Sequence, residues 1–180
     1  MQSPVRGGYS MKSCLAVLLI LIGGSAVAQQ HQHSHSPYSG SQTRDIKALS
    51  EQQLADLRAG RGMGLALTAE LNGYPGPLHV LELADQLQLT AEQKERIQRL
   101  YEAMKKEAVA VGERLVADER ALDQHFAQGK ITSATLISLT ARIGETQGKL
   151  RAVHLKYHLT TGEILTRDQK QRYSELRGYR

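Results

Sequence analysis

The sequence predicts an all-α protein: a long antiparallel helical hairpin preceded by shorter helices. Three observations lead there. Apolar residues recur in alternating steps of four and three along two long runs, as packed helices require. A break at Gln128-Gly129-Lys130 separates the runs. No stretch shows the strict apolar/polar alternation of a half-buried strand. The chain has no Trp and a single Phe, Phe126. A thin core of Leu, Ile, Val and Ala suits helices packed in two layers.

Residues 1–28 read as a signal peptide. Arg6 and Lys12 form a basic start, Cys14 to Ile22 an apolar run, and Ala26-Val27-Ala28 an A-x-A cleavage site. Met1 and Met11 both fit as the initiator. The apolar run is shorter than the ~20 residues a spanning helix needs, so export without a membrane span in the mature form is expected. The lone Cys14 stands at the head of the apolar run instead of after it, which argues against a lipoprotein anchor, and cleavage removes it, leaving no disulfide and no thiol chemistry. The segment also carries two basic and no acidic residues away from a net charge of +5. The mild balance that remains does not have the electrostatic footprint of a nucleic-acid binder.

Residues 29–47 are polar, His- and Ser-rich at their start, and are expected to be a disordered tail ahead of a helical domain at 48–178. Ser50 and Gln53 make a capping box for a first helix through Leu54 and Leu57. Gly60, Gly62 and Gly64 interrupt it; no strand precedes them and the spacing is wrong for a nucleotide loop, so a bend or close helix approach explains them better. Asn72-Gly73-Tyr74-Pro75-Gly76-Pro77 is a turn, with Pro77 fit for the first turn of the next helix. Leu78, Leu81, Leu83, Ala84 and Leu87 then form a short amphipathic helix.

From Thr90 the longest run begins: Ile97, Tyr101, Met104, Ala108, Val111, Leu115 and Leu122. Asp118 stands where the seam expects an apolar residue, so a weakness or bend is expected there. A second long helix starts near Thr132, with Leu136, Ile143, Leu150, Tyr157 and Ile164 at sevens. Between them lie Thr140, Gln147, His154 and Thr161, a polar half-seam. Each long helix spans roughly 45–55 Å at about 1.5 Å per residue. Joined by a short loop, they must run antiparallel.

The pattern Leu-Thr-x-x-Gln occurs twice, as Leu89-Thr90-Ala91-Glu92-Gln93 and Leu165-Thr166-Arg167-Asp168-Gln169. In each, Thr at the N-cap can accept from the N3 N–H while Gln at N3 reaches back to the N-cap N–H, satisfying two orphan donors. Two such boxes, about 76 residues apart behind a secretory signal, resemble the LTxxQ family of small periplasmic helical proteins. That family contains Spy- and CpxP-like chaperones and stress adaptors and is related to CnrX-like periplasmic heavy-metal sensors. The resemblance covers roughly residues 48–178. It implies a periplasmic location, a cradle-like homodimer of long bent helices, and ATP-independent binding of unfolded or misfolded envelope proteins. A third reading is an inhibitory adaptor that docks on the periplasmic domain of a sensor kinase.

An enzyme is not expected: G-x-S-x-G, H-E-x-x-H and any readable Ser/His/Asp set are absent. No cofactor is required, but the histidines raise a metal-binding alternative, a sensor or resistance protein. His154 and His158, four apart, share one side of a helix. Folding the hairpin about residue 129 sets them opposite Tyr101, Glu102 and Met104, and His79 can join only through tertiary proximity. Such a set suits Zn, Ni, Co or Cu according to geometry. The plainer reading is a packing histidine beside Tyr157. His125, near the hairpin tip, is expected to be solvated. Cleavage after Ala28 would also expose Gln29-Gln30-His31, whose amine, two amides and imidazole form a square-planar Cu(II) or Ni(II) site. His33 and His35 would add a weaker one. Cyclisation of Gln29 removes the amine, and an inert polar spacer is the simpler alternative.

Overall fold

The computed structural model describes residues 36–179. The expected signal peptide and the tail site at Gln29, Gln30 and His31 lie outside them. Six helices follow in order: α1 (Glu51–Ala59), α2 (Leu67–Glu70), α3 (Pro77–Glu82), α4 (Ala91–Ala127), α5 (Ser133–Ile164) and α6 (Arg167–Leu176). No strand occurs among the described residues. The fold is all-α, and α4 and α5 pack against each other along the hairpin.

Order begins earlier than the expected end of the tail at residue 47. A 3₁₀ turn at Ser41–Thr43 leads to Ile46, which is fully buried. Asp45 and Lys47 flank it and pair with Arg120 and Asp123 of α4. One buried Ile anchors a polar stretch that composition alone reads as loose.

Ser50 and Gln53 close the expected box at the start of α1. Gly60 ends that helix at φ 66, and a Cβ there would also meet the Lys105 carbonyl oxygen at 3.0 Å. The glycine thus serves as stop and as close approach together. The following loop turns into α2, a helix the periodicity does not announce. Pro77 occupies the first turn of α3, as expected. That helix stops at Glu82 instead of continuing to Leu87. Successive turns end at Gln88, φ 51, and redirect the chain into the Thr90 cap while burying Ala84 and Leu87.

Along α4 the predicted seam is buried or half-buried: Ile97, Tyr101, Met104, Ala108, Val111, Leu115 and Leu122. Asp118 is buried as well, where a break was expected. Its carboxylate accepts from the Arg142 guanidinium and, at 3.1 Å, from the Thr146 hydroxyl of α5. The polar residue is satisfied across the hairpin, so the seam continues through it. On the first half of α5 the half-seam shifts by one residue: Leu139 and Thr146 are buried, whereas Thr140 and Gln147 are exposed. Farther along, His154 and Thr161 are buried as expected, with Val153 beside them, and of the main seam Leu136 is exposed. Turning Leu139 inward removes more apolar surface from water than turning Thr140 inward, and the same turn delivers Thr146 to Asp118.

The core has two parts. The larger joins Ile46, Leu49 and Leu57 to Met104, Ala108, Leu115, Val116, Ile143, Leu150 and Val153. The smaller joins Val80, Leu87, Ile97, Leu165 and Tyr173 where α3, α4 and α6 converge. Gly112 permits the first: a Cβ there would fall 2.6 Å from the Leu57 carbonyl oxygen, so only glycine lets α1 lie this close to α4.

Candidate functional site

Both Leu-Thr-x-x-Gln copies form full capping boxes, at the starts of α4 and α6. The hairpin then brings the two boxes together. Gln93 Nε2 donates to Gln169 Oε1 at 2.9 Å, and Gln169 Nε2 donates back to Gln93 Oε1 at 3.0 Å. Each amide nitrogen also reaches a backbone carbonyl, Ile164 at 3.0 Å and Leu87 at 3.3 Å. Each amide oxygen still accepts from its own N-cap, Thr90 or Thr166. The reciprocal pair therefore caps two helix starts and relieves a carbonyl at the end of α5. Leu165 is buried and Leu89 half-buried in the cluster beneath.

Beside this junction lies a polar cluster that the sequence does not announce. Glu70, at the end of α2, is buried. It accepts from the Tyr173 hydroxyl, from the Tyr179 hydroxyl at 3.1 Å and from the Gly76 N–H at 3.2 Å. Arg177 Nε stands 3.8 Å away. Burial, then the bond to Glu70, pushes the Tyr173 phenol well above its ordinary range, so it remains a donor. His158 Nδ1 sits 2.7 Å from the Tyr74 carbonyl oxygen. A carbonyl only accepts, so Nδ1 carries the proton. The opposite edge of that ring rests on Gly76, where a Cβ would come within 2.7 Å of Nε2.

A cavity of ≈ 390 Å³ opens between the Gly60–Gly64 loop, α3, α4 and α5. His154 and His158 line it with Tyr101 and Met104, as the hairpin register predicted. His154 is only 2% exposed, and its Nε2 has no hydrogen-bond partner. Burial, then the neighbouring His158, holds its pKa below the usual imidazole value, so the ring is neutral.

The remaining predicted ligands fall apart. Glu102 lies on an exposed face of α4, bonded to Gln98, and does not line the cavity. It follows Tyr101 by one residue, and one step around a helix turns it away. His79 borders the cavity, but its Nδ1 pairs with Glu82 at 2.9 Å. Among the described residues, no three His, Cys, Asp or Glu side chains gather into a metal-holding group. His125 is half-buried with an unpartnered Nδ1, against the solvated placement expected for it.

The residues missed are Glu70, Tyr173 and Arg177. Nothing local distinguishes them, because partners such as Glu70 and Tyr173 are 103 residues apart. No curated protein and no solved structure matches the chain. A family model does match residues 78–177, from just after Pro77 to the end of α6, and so takes in both capping boxes and the hairpin between them. With more than half of its length matched, the chain belongs to the LTXXQ motif family.

Proposed function

We propose that the protein is a periplasmic, non-enzymatic chaperone of Spy/CpxP type that holds unfolded or misfolded envelope proteins without ATP. Family membership supports this reading, and one structural observation carries it: large apolar side chains stand in solvent along short elements. Leu67 of α2 and Leu71 just after it are 56% and 59% exposed, and Tyr74 in the turn that follows and Leu78 of α3 are exposed as well. Phe126 and Ile137 stand out in the same way near the hairpin tip. Exposed apolar groups beside charged neighbours suit weak, adaptable contacts with non-native chains. A second chain completing a cradle-like dimer belongs to the same reading, as does docking on a sensor-kinase periplasmic domain.

The test is aggregation of an unfolded substrate at near-stoichiometric ratio without nucleotide. The protein should slow it, and Leu67→Ser with Leu71→Ser should weaken that effect several-fold. Failure to suppress across several unrelated substrates would overturn the reading. A metal-binding sensor or resistance protein is the second reading, favoured by the buried, unpartnered imidazole of His154.

A further inference from the structure

We propose that the cavity between the Gly62–Gly64 loop, α4 and α5 binds Cu(I) through the thioethers of Met63 and Met104 and the imidazole of His154. The site stands whether or not the protein holds clients. The chain has four methionines. Met1 and Met11 fall in the expected signal segment, and the other two, Met63 and Met104, both line this cavity with His154. Met104 is a seam residue of α4, buried at the level of His154. Met63 is carried by a loop that lies on the imidazole: a Cβ at Gly62 would sit 3.8 Å from His154 Nδ1. Met63 itself holds a left-handed backbone, φ 44, which a non-glycine residue adopts at a cost.

The chemistry selects the ion. Soft thioethers favour Cu(I), whereas Zn, Ni and Co are better served by charged or nitrogen-rich sets. Glu70, the carboxylate of the cavity wall, is already engaged by two tyrosine hydroxyls and a backbone N–H. The three donors are neutral, and a bound Cu(I) would add one positive charge to the cavity instead of two, which lowers the desolvation cost although Met63 remains partly in solvent. A buried nitrogen without a partner asks for an occupant, and a cation supplies one.

Anaerobic titration of the mature chain with Cu(I), held in ascorbate against the chelator bicinchoninate, tests this. One equivalent should leave the chelator, and X-ray absorption should show Cu–S scattering. Met63→Leu and Met104→Leu keep side-chain volume, and circular dichroism should show the helices unchanged. Each should weaken binding at least about tenfold, the loss expected from one ligand's support. Their combination should abolish the Cu–S signal. Failure to draw Cu(I) from the chelator would overturn the site. So would a Cu(I) affinity unchanged by the double substitution, which would assign the ion to the histidines of the tail.

Discussion

At the scale of single residues, Tyr173 shows how far burial can move a side chain from its ordinary behaviour. It is 1% exposed and donates to a carboxylate that is itself buried. Replacing it with Phe keeps the ring's packing and removes one donor from Glu70, at a cost of about 1–3 kcal/mol at neutral pH. The pH dependence has a definite sign. The folded pKa is raised, so the contribution is complete below the unfolded value of 10.0 and is lost as pH rises above it. The unfolded chain ionises this phenol and the folded chain does not. Denaturant melts between pH 9 and pH 11.5 should therefore fall less steeply for Tyr173→Phe, by up to about 1.4 kcal/mol per pH unit, one proton's worth. Equal slopes for the two proteins would mean that the phenol ionises freely in the fold.

At the scale of elements, glycines inside the two long helices have opposite meanings. Gly112 of α4 faces α1, and a Cβ would collide with the Leu57 carbonyl oxygen at 2.6 Å. Backbone cannot swing aside as a side chain can, so Gly112→Ala should destabilise by about 1–3 kcal/mol, the usual overpacking range. Gly144 and Gly148 of α5 have nothing within 4 Å of a Cβ. Alanine there relieves the helix of its most flexible residue, and each change should stabilise by up to about 1 kcal/mol. Thermal melts of the three variants check the sign directly; a stabilised Gly112→Ala would show that α1 is free to lift from α4. Asp118 carries a related lesson. A charge in an apolar seam is tolerated because Arg142 and Thr146 on the facing helix complete its bonding.

At the scale of the whole molecule, the two motif copies tie the start of α4 to the start of α6. The Gln93–Gln169 pair spans 76 residues and sits above the smaller core, where α3, α4 and α6 meet. Replacing either Gln by Ala removes a cap and strands the partner's amide, so each single change should cost about 1–3 kcal/mol. The second change then has less left to break. A double-mutant cycle in urea should show a coupling of about 0.5–3 kcal/mol, and strict additivity would mean the two boxes act independently. Among the described residues no helix is long and apolar enough to cross a membrane.

The helices, their caps and the hairpin were legible in the sequence because each is decided locally. A Thr finds its N3 amide three residues on, and a heptad is visible within a few turns. The pairing of α4 with α5 followed from loop length alone, and it placed Met104 and Tyr101 beside His154 and His158. What the two motifs are for was not legible locally. Only the folded hairpin sets Gln93 against Gln169, and only tertiary packing turns Leu139 inward instead of Thr140. The site followed the same division. Helical spacing put His154 and His158 on one side of α5, but burial made one a neutral, unpartnered ring and tied the other to the Tyr74 carbonyl. Glu70, at the end of the short helix α2, and Met63, in the loop before it, entered through a segment whose path depends on contacts far along the chain. Periodicity reports which face a residue occupies; it carries no information about the desolvation and the long-range partners that give the face its chemistry.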